Sequence, residues 1–190
     1  MPGEQGLYSA AIAPLVEAER PSDLGPGRPE MTMRPTLAAL DPQTIAAPHA
    51  VNDAEMARAC LAGLWLRYNF LNESHAISQD LESPTGSYWH GIMHRREPDF
   101  GNAKYWFRRV GKHPVYEPLC AAARELAATS GAGPAAEMLA DQAEWNPLAF
   151  VDLCQQAIDE PSPLNTLCRN IQQREWRLLF DYCYARAVAP

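Results

Sequence analysis

The sequence predicts an all-α protein, and three observations carry that prediction. From residue 50 onward apolar side chains recur at i, i+4 and i+7, the spacing of a helix face. The alternation of Val, Ile and Thr that marks a half-buried strand is missing. Eight of the seventeen prolines fall before residue 50, including the stretch Pro21-Ser22-Asp23-Leu24-Gly25-Pro26-Gly27-Arg28-Pro29, which sustains neither a long helix nor a central strand. The chain therefore divides into a Pro-rich N-terminal arm, residues 1–47, and a helical domain, residues 48–190, expected to be an irregular bundle of six to eight helices.

Taken in order, the arm has one short helix within residues 6–19, with Tyr8, Ile12, Leu15 and Val16 on one side. Asn52 or Asp53 caps the next helix, which carries Ala57, Leu61, Leu64, Tyr68 and Leu71 on one stripe and ends at residues 70–72. A loop over residues 80–86 leads to a histidine-rich helix at 87–97. Pro98 and Asp99 break it, and the next helix runs over 100–111 with Gly111 as its stop. Further helices are predicted at 115–129, 137–144, 147–158 and 164–186, the last with Leu167, Ile171, Leu178 and Tyr182 on its buried face.

A chain of 190 residues with 47% hydrophobic content buries one good core. No apolar run reaches the ~20 residues that cross a bilayer. The first six residues lack the basic region of a signal peptide, so the expectation is a soluble, cytoplasmic protein with no membrane partner. The five cysteines, Cys60, Cys120, Cys154, Cys168 and Cys183, form no C-x-x-C pair and read as reduced core thiols. Formal net charge is −7, yet residues 86–114 hold six basic side chains (Arg95, Arg96, Lys104, Arg108, Arg109, Lys112) against Glu97 and Asp99. A basic island in an acidic chain suits a small anionic ligand and argues against wrapping nucleic acid. The arm offers a route to oligomerisation if it wraps a neighbouring copy.

Four of the five histidines, His75, His90, His94 and His113, lie within one stretch among Trp, Tyr and Arg, which places the candidate site there. His90 and His94 are four apart and share a helix face, the geometry by which an H-x-x-x-H pair holds a divalent metal. His75 or Glu73 is the candidate third ligand. Gly91 stands where a zinc peptidase carries its glutamate, which excludes the H-E-x-x-H reading. The same residues support a metal-free reading. There His75, His90 or His94 acts as general acid or base with Glu73 polarising it, Arg95, Arg96 and Lys104 bind an anionic substrate, and Tyr88 and Trp89 exclude water. Ser74 and Ser78 lie near His75 without a G-x-S-x-G elbow, and no nucleotide-binding glycine loop occurs. Trp65, Trp145 and Trp176 read as core, while Trp89 and Trp106 flank the histidines and serve either as pocket wall or as filling.

Gly91, Asp99-Phe100, Ala103, Trp106-Phe107 and Val110 give residues 84–117 a spacing that resembles one tetratricopeptide-type helical hairpin. The resemblance covers under a fifth of the chain, no second copy is detectable, and it departs from the pattern where His90 and His94 replace the usual apolar or aromatic groove positions. It implies a groove-presenting interaction or assembly module as the alternative function. Glu73-Ser74-His75, residues 88–96 and residues 102–109 are also similar to an uncharacterised family of bacterial and fungal helical proteins, which implies no function.

Overall fold

The computed structural model of the protein describes residues 7–20 and 22–189; among these there are eleven α-helices, one 3-10 turn and no strand. The six-residue start lies outside the described residues. Three of the helices, each five residues long, belong to the arm: α1 (Ala13–Glu17), α2 (Arg34–Ala38) and α3 (Pro42–Ala46). The other eight follow residue 50: α4 (Ala54–Arg67), α5 (Leu71–Ser78), α6 (Pro84–Arg96), α7 (Phe100–Val110), α8 (Tyr116–Ala128), α9 (Pro134–Asp141), α10 (Pro147–Ala157) and α11 (Pro163–Val188). The bundle beyond residue 50 thus matches the expected six to eight helices, and the arm's short helices bring the total to eleven.

Local chemistry explains the boundaries. Asp53, Ser83, Asp99, Asn146 and Ser162 each accept a hydrogen bond from a backbone N–H in the first turn that follows, capping α4, α6, α7, α10 and α11. Proline stands in the first turn of α6, α9, α10 and α11, where its missing N–H costs nothing. For that reason α6 begins at Pro84 rather than residue 87, and α9 at Pro134 rather than 137. The helix expected to run through to residues 70–72 stops at Arg67 because Asn69 takes a left-handed backbone (φ 64°), and a new helix, α5, starts at Leu71.

Helix α11 is the spine, packing against α3, α4, α8 and α10, while α6 lies against α4, α5 and α7. Most of α4 is buried, including Ala57, Cys60, Leu61 and Leu64, so it is apolar nearly all round rather than on one stripe. The arm lies on its own chain. Tyr8, Ile12, Leu15, Val16, Leu37 and Ile45 are all core residues, and Arg67, Tyr68 and Arg177 donate to the carbonyls of Leu15, Ala18 and Val16. All five cysteines are buried free thiols. Trp65 is half-buried, and Trp145 and Trp176 belong to the core, as read from the sequence. On α11, Leu167 and Ile171 are buried, but the inward face continues through Leu179 and Cys183, with Leu178 and Tyr182 half-buried. No described helix is long and apolar enough to cross a membrane.

Candidate metal centre

Helix α6 presents His90 and His94 on one face, and α5 brings His75 against them. The His90 and His94 rings stack, with centroids 4.7 Å apart at 15°. His75 meets both edge-on, at 4.7 Å from His90 and 5.4 Å from His94. One ligand nitrogen from each ring lies within 4.8 Å of the other two. Zinc–nitrogen bonds of about 2.0–2.1 Å set tetrahedral nitrogens about 3.3 Å apart, so closing the set onto one ion requires the stacked His90 and His94 rings to turn out of parallel. His75 is half-buried, whereas His90 and His94 are 3% and 5% exposed. The cluster therefore has two buried ligands and one at the rim.

Each ring has a different hydrogen-bond state. His94 Nδ1 lies 3.3 Å from Glu97 and 3.9 Å from Asp99, and Asn102 Nδ2 lies 3.1 Å from His94 Nε2. A proton on Nδ1 donated to Glu97 leaves Nε2 to accept from Asn102 Nδ2. This is the tautomer that carboxylate support gives to metal-bound histidines, and an ion at Nε2 would displace the Asn102 contact. His90 stacks on Trp106 at 3.9 Å, but both of its ring nitrogens are buried without a partner. An unsatisfied buried donor and acceptor on one ring cost about 1–3 kcal/mol each. Burial, then the neighbouring His94 and His75, hold the His90 pKa down at about 3, and burial lowers that of His94 as well. Both are neutral at physiological pH, the state a metal requires.

The remaining residues expected at the site are placed elsewhere. Glu73 forms an ion pair with Arg34 of the arm at 2.6 Å, so it is occupied by the arm rather than polarising His75. Arg95 is fully buried on another side of α6, paired with Glu175 and bonded to Gln172 of α11, which makes it a core cation rather than an anion-binding one. Arg96 donates to the carbonyls of Gly25 and Pro26 and to Asn69 Oδ1, clamping the arm. Lys104 pairs with Asp152 on the surface. Trp89 is core, with its Nε1 3.5 Å from Cys183 Sγ and its ring against Trp176. Tyr88 faces Phe107, His113 and Tyr116. His113 stands apart as a satisfied core histidine: Nδ1 accepts from Val115 N at 3.2 Å and Nε2 contacts Thr85 Oγ1 at 3.2 Å.

Trp106, Asn102, Glu97 and Asp99 take the places assigned to those residues. Trp106 follows from the spacing, since on α7 it lies four residues beyond Asn102, as His90 and His94 are four apart on α6. The others carried no signal beyond their closeness in sequence to His94. Gly91 sits against Phe107, where a Cβ would come within 3.2 Å of the ring, so a glycine keeps α6 and α7 close. No protein family, curated protein or solved structure matches the chain.

Proposed function

We propose that the protein binds one divalent transition-metal ion through His75, His90 and His94. The ion serves as a Lewis-acid centre whose fourth position takes water or a small anion. The observation that carries this reading is His90: an imidazole buried with both nitrogens unpartnered, inside a set of three neutral ligands already gathered within 4.8 Å. A structural histidine is normally satisfied, as His113 is, and an ion is the partner His90 lacks. No side-chain carboxylate stands within the three-histidine set, so the fourth ligand comes from solvent. With three histidines and an open position the ion lowers the pKa of bound water toward ~7, the chemistry of hydration and hydrolysis. Access is from the half-buried rim of His75, Asn102 and Trp106.

Cobalt titration of chelator-treated protein tests this reading. One equivalent should give the visible absorption of a four-coordinate site, and thiocyanate should perturb it through the open position. His75→Gln, His90→Leu and His94→Gln should each abolish the signal with the helical circular dichroism unchanged. A wild-type protein that shows no saturable absorption would refute the metal centre.

The His94–Glu97 contact favours a second, metal-free reading in which His94 is an oriented general base. Activity that survives chelation would select it. The interaction-module alternative has less support: the strongly exposed large apolar side chains Leu7, Met31, Tyr105 and Met138 lie on four separate segments and supply no evident docking face.

A further inference from the structure

Where the arm crosses α4, α6 and α11, the structure leaves a partly enclosed cavity of about 30 Å³, lined by Arg20, Asp23, Arg67, Arg96, Gln172 and Trp176 among others. Three guanidinium groups thus share one small space with a single carboxylate, Asp23. Arg20 pairs with Glu30, outside the lining, and Asp23 accepts from Asn69 Nδ2 at 3.2 Å. Arg67 and Arg96 form no ion pair among the described residues. Their Nε and Nη2 atoms are spent on neutral acceptors: the Leu15 and Ala18 carbonyls for Arg67, and the Gly25 and Pro26 carbonyls and Asn69 Oδ1 for Arg96. One nitrogen of each, Nη1, makes no hydrogen bond within the described protein, and Arg20 Nε is buried without a partner.

We propose that this cavity is an anion site that takes one halide ion, chloride in the cell, held by the unspent donors of Arg20, Arg67 and Arg96. Size selects the class. A water needs about 10–15 Å³ of such space, so about 30 Å³ in this partly enclosed cavity accommodates a single halide. Charge selects the sign, because burial pulls both Arg67 and Arg96 down to about 10, Asp23 only partly offsetting it at Arg96, and a bound anion offsets that penalty. The ion also bridges arm and body, since Arg67 and Arg96 are the residues that hold the arm's carbonyls. This site is separate from the histidine cluster and does not depend on the metal reading.

Thermal unfolding at fixed ionic strength tests the proposal, with chloride replaced stepwise by gluconate. The melting temperature should rise saturably with chloride and with bromide, whereas any rise with sulfate, which is excluded from protein surfaces, should not saturate. Asp23→Asn removes the competing carboxylate and should tighten chloride roughly tenfold, the size of one partly screened charge contact. Arg67→Gln should abolish the chloride dependence. Because that variant also loses arm contacts, chloride-35 line broadening on wild-type protein gives a readout independent of folding: excess broadening that bromide titrates away is expected. Equal melting in chloride and gluconate, with no excess broadening, would overturn the site and leave the cavity to water.

Discussion

Helix α6 buries two kinds of polar side chain, and they are treated oppositely. Arg95, on the α11 side, has its charge met by Glu175, two further hydrogen bonds to Gln172, and the ring of Phe150 under the guanidinium at 4.7 Å. His90, on the α5–α7 side, has aromatic neighbours and no hydrogen bond at all. A buried polar group kept only for structure is normally satisfied by the protein itself, although Tyr88 Oη on the same helix and Trp145 Nε1 are also buried without a partner. One kept to receive something from outside is surrounded, shaped and left open. The contrast separates a core charge from a binding residue that the sequence places only five positions away.

The largest way to break that contrast is on the satisfied side. Glu175→Ala leaves Arg95 buried and unpaired, and should cost about 3–5 kcal/mol in chemical denaturation. Replacing the pair together, Arg95→Met with Glu175→Leu, should recover most of that loss, since an ion pair so deep trades desolvation against attraction. The open side should respond in reverse. His90→Leu removes two orphaned nitrogens and should leave the metal-free protein at least as stable as wild type, and up to about 3 kcal/mol more stable. The wild type alone should gain about 2.7 kcal/mol from zinc held at a hundred times its dissociation constant. Equal stabilisation of both proteins by zinc would erase the distinction.

Packing sharpens the comparison further. A Cβ on Gly63 of α4 would meet Trp89 at 2.8 Å, so Gly63→Ala should destabilise by about 1–3 kcal/mol. Gly91→Ala, whose Cβ would meet Phe107 at 3.2 Å beside the histidines, should cost less, under about 1 kcal/mol. The last test is of pH. His90 and His113 have native pKa values held down to about 3 and about 4 by burial, below the unfolded value. The unfolded chain therefore binds protons first as pH falls, and this stability is present in full above ~6.5 and lost on acidification toward those values. Each histidine should account for about 2 kcal/mol between roughly pH 7 and pH 5, so wild-type denaturation curves should differ by up to about 4 kcal/mol and those of His90→Leu by about half as much.

The all-α fold and the hairpin of α6 and α7 were legible because helical periodicity and capping residues are local. So was the pairing of His90 with His94, and a short connection was enough to bring His75 to them. The break at Asn69 was not, since one left-handed residue inside an apolar stretch carries no periodic signal. The arginines misled for a different reason. At about 100° per residue, Arg95 points roughly 140° away from His90. Its true partners, Gln172 and Glu175, lie 77 and 80 residues further along. Arg96 likewise meets carbonyls about 70 residues back. Arg95, Arg96 and Lys104, clustered in sequence, were thus dispersed in space, each answering a distant partner, while Arg109 lies over Tyr105 and Trp106 of its own helix.

The placement of the arm fixes an order of events during synthesis. Tyr8 meets Asp181, and the backbone N–H of Ser9 donates to Tyr184 Oη, across 173 and 175 residues. An apolar segment of the arm is therefore completed by a helix made some 173 residues later. Until α11 has emerged, Tyr8, Ile12 and Val16 have no final resting place, so the nascent chain carries exposed apolar surface on the arm while the intervening helices are made. A nascent chain arrested before residue 163 should be bound by chaperones and cleaved in the arm, whereas release of the full length should protect both.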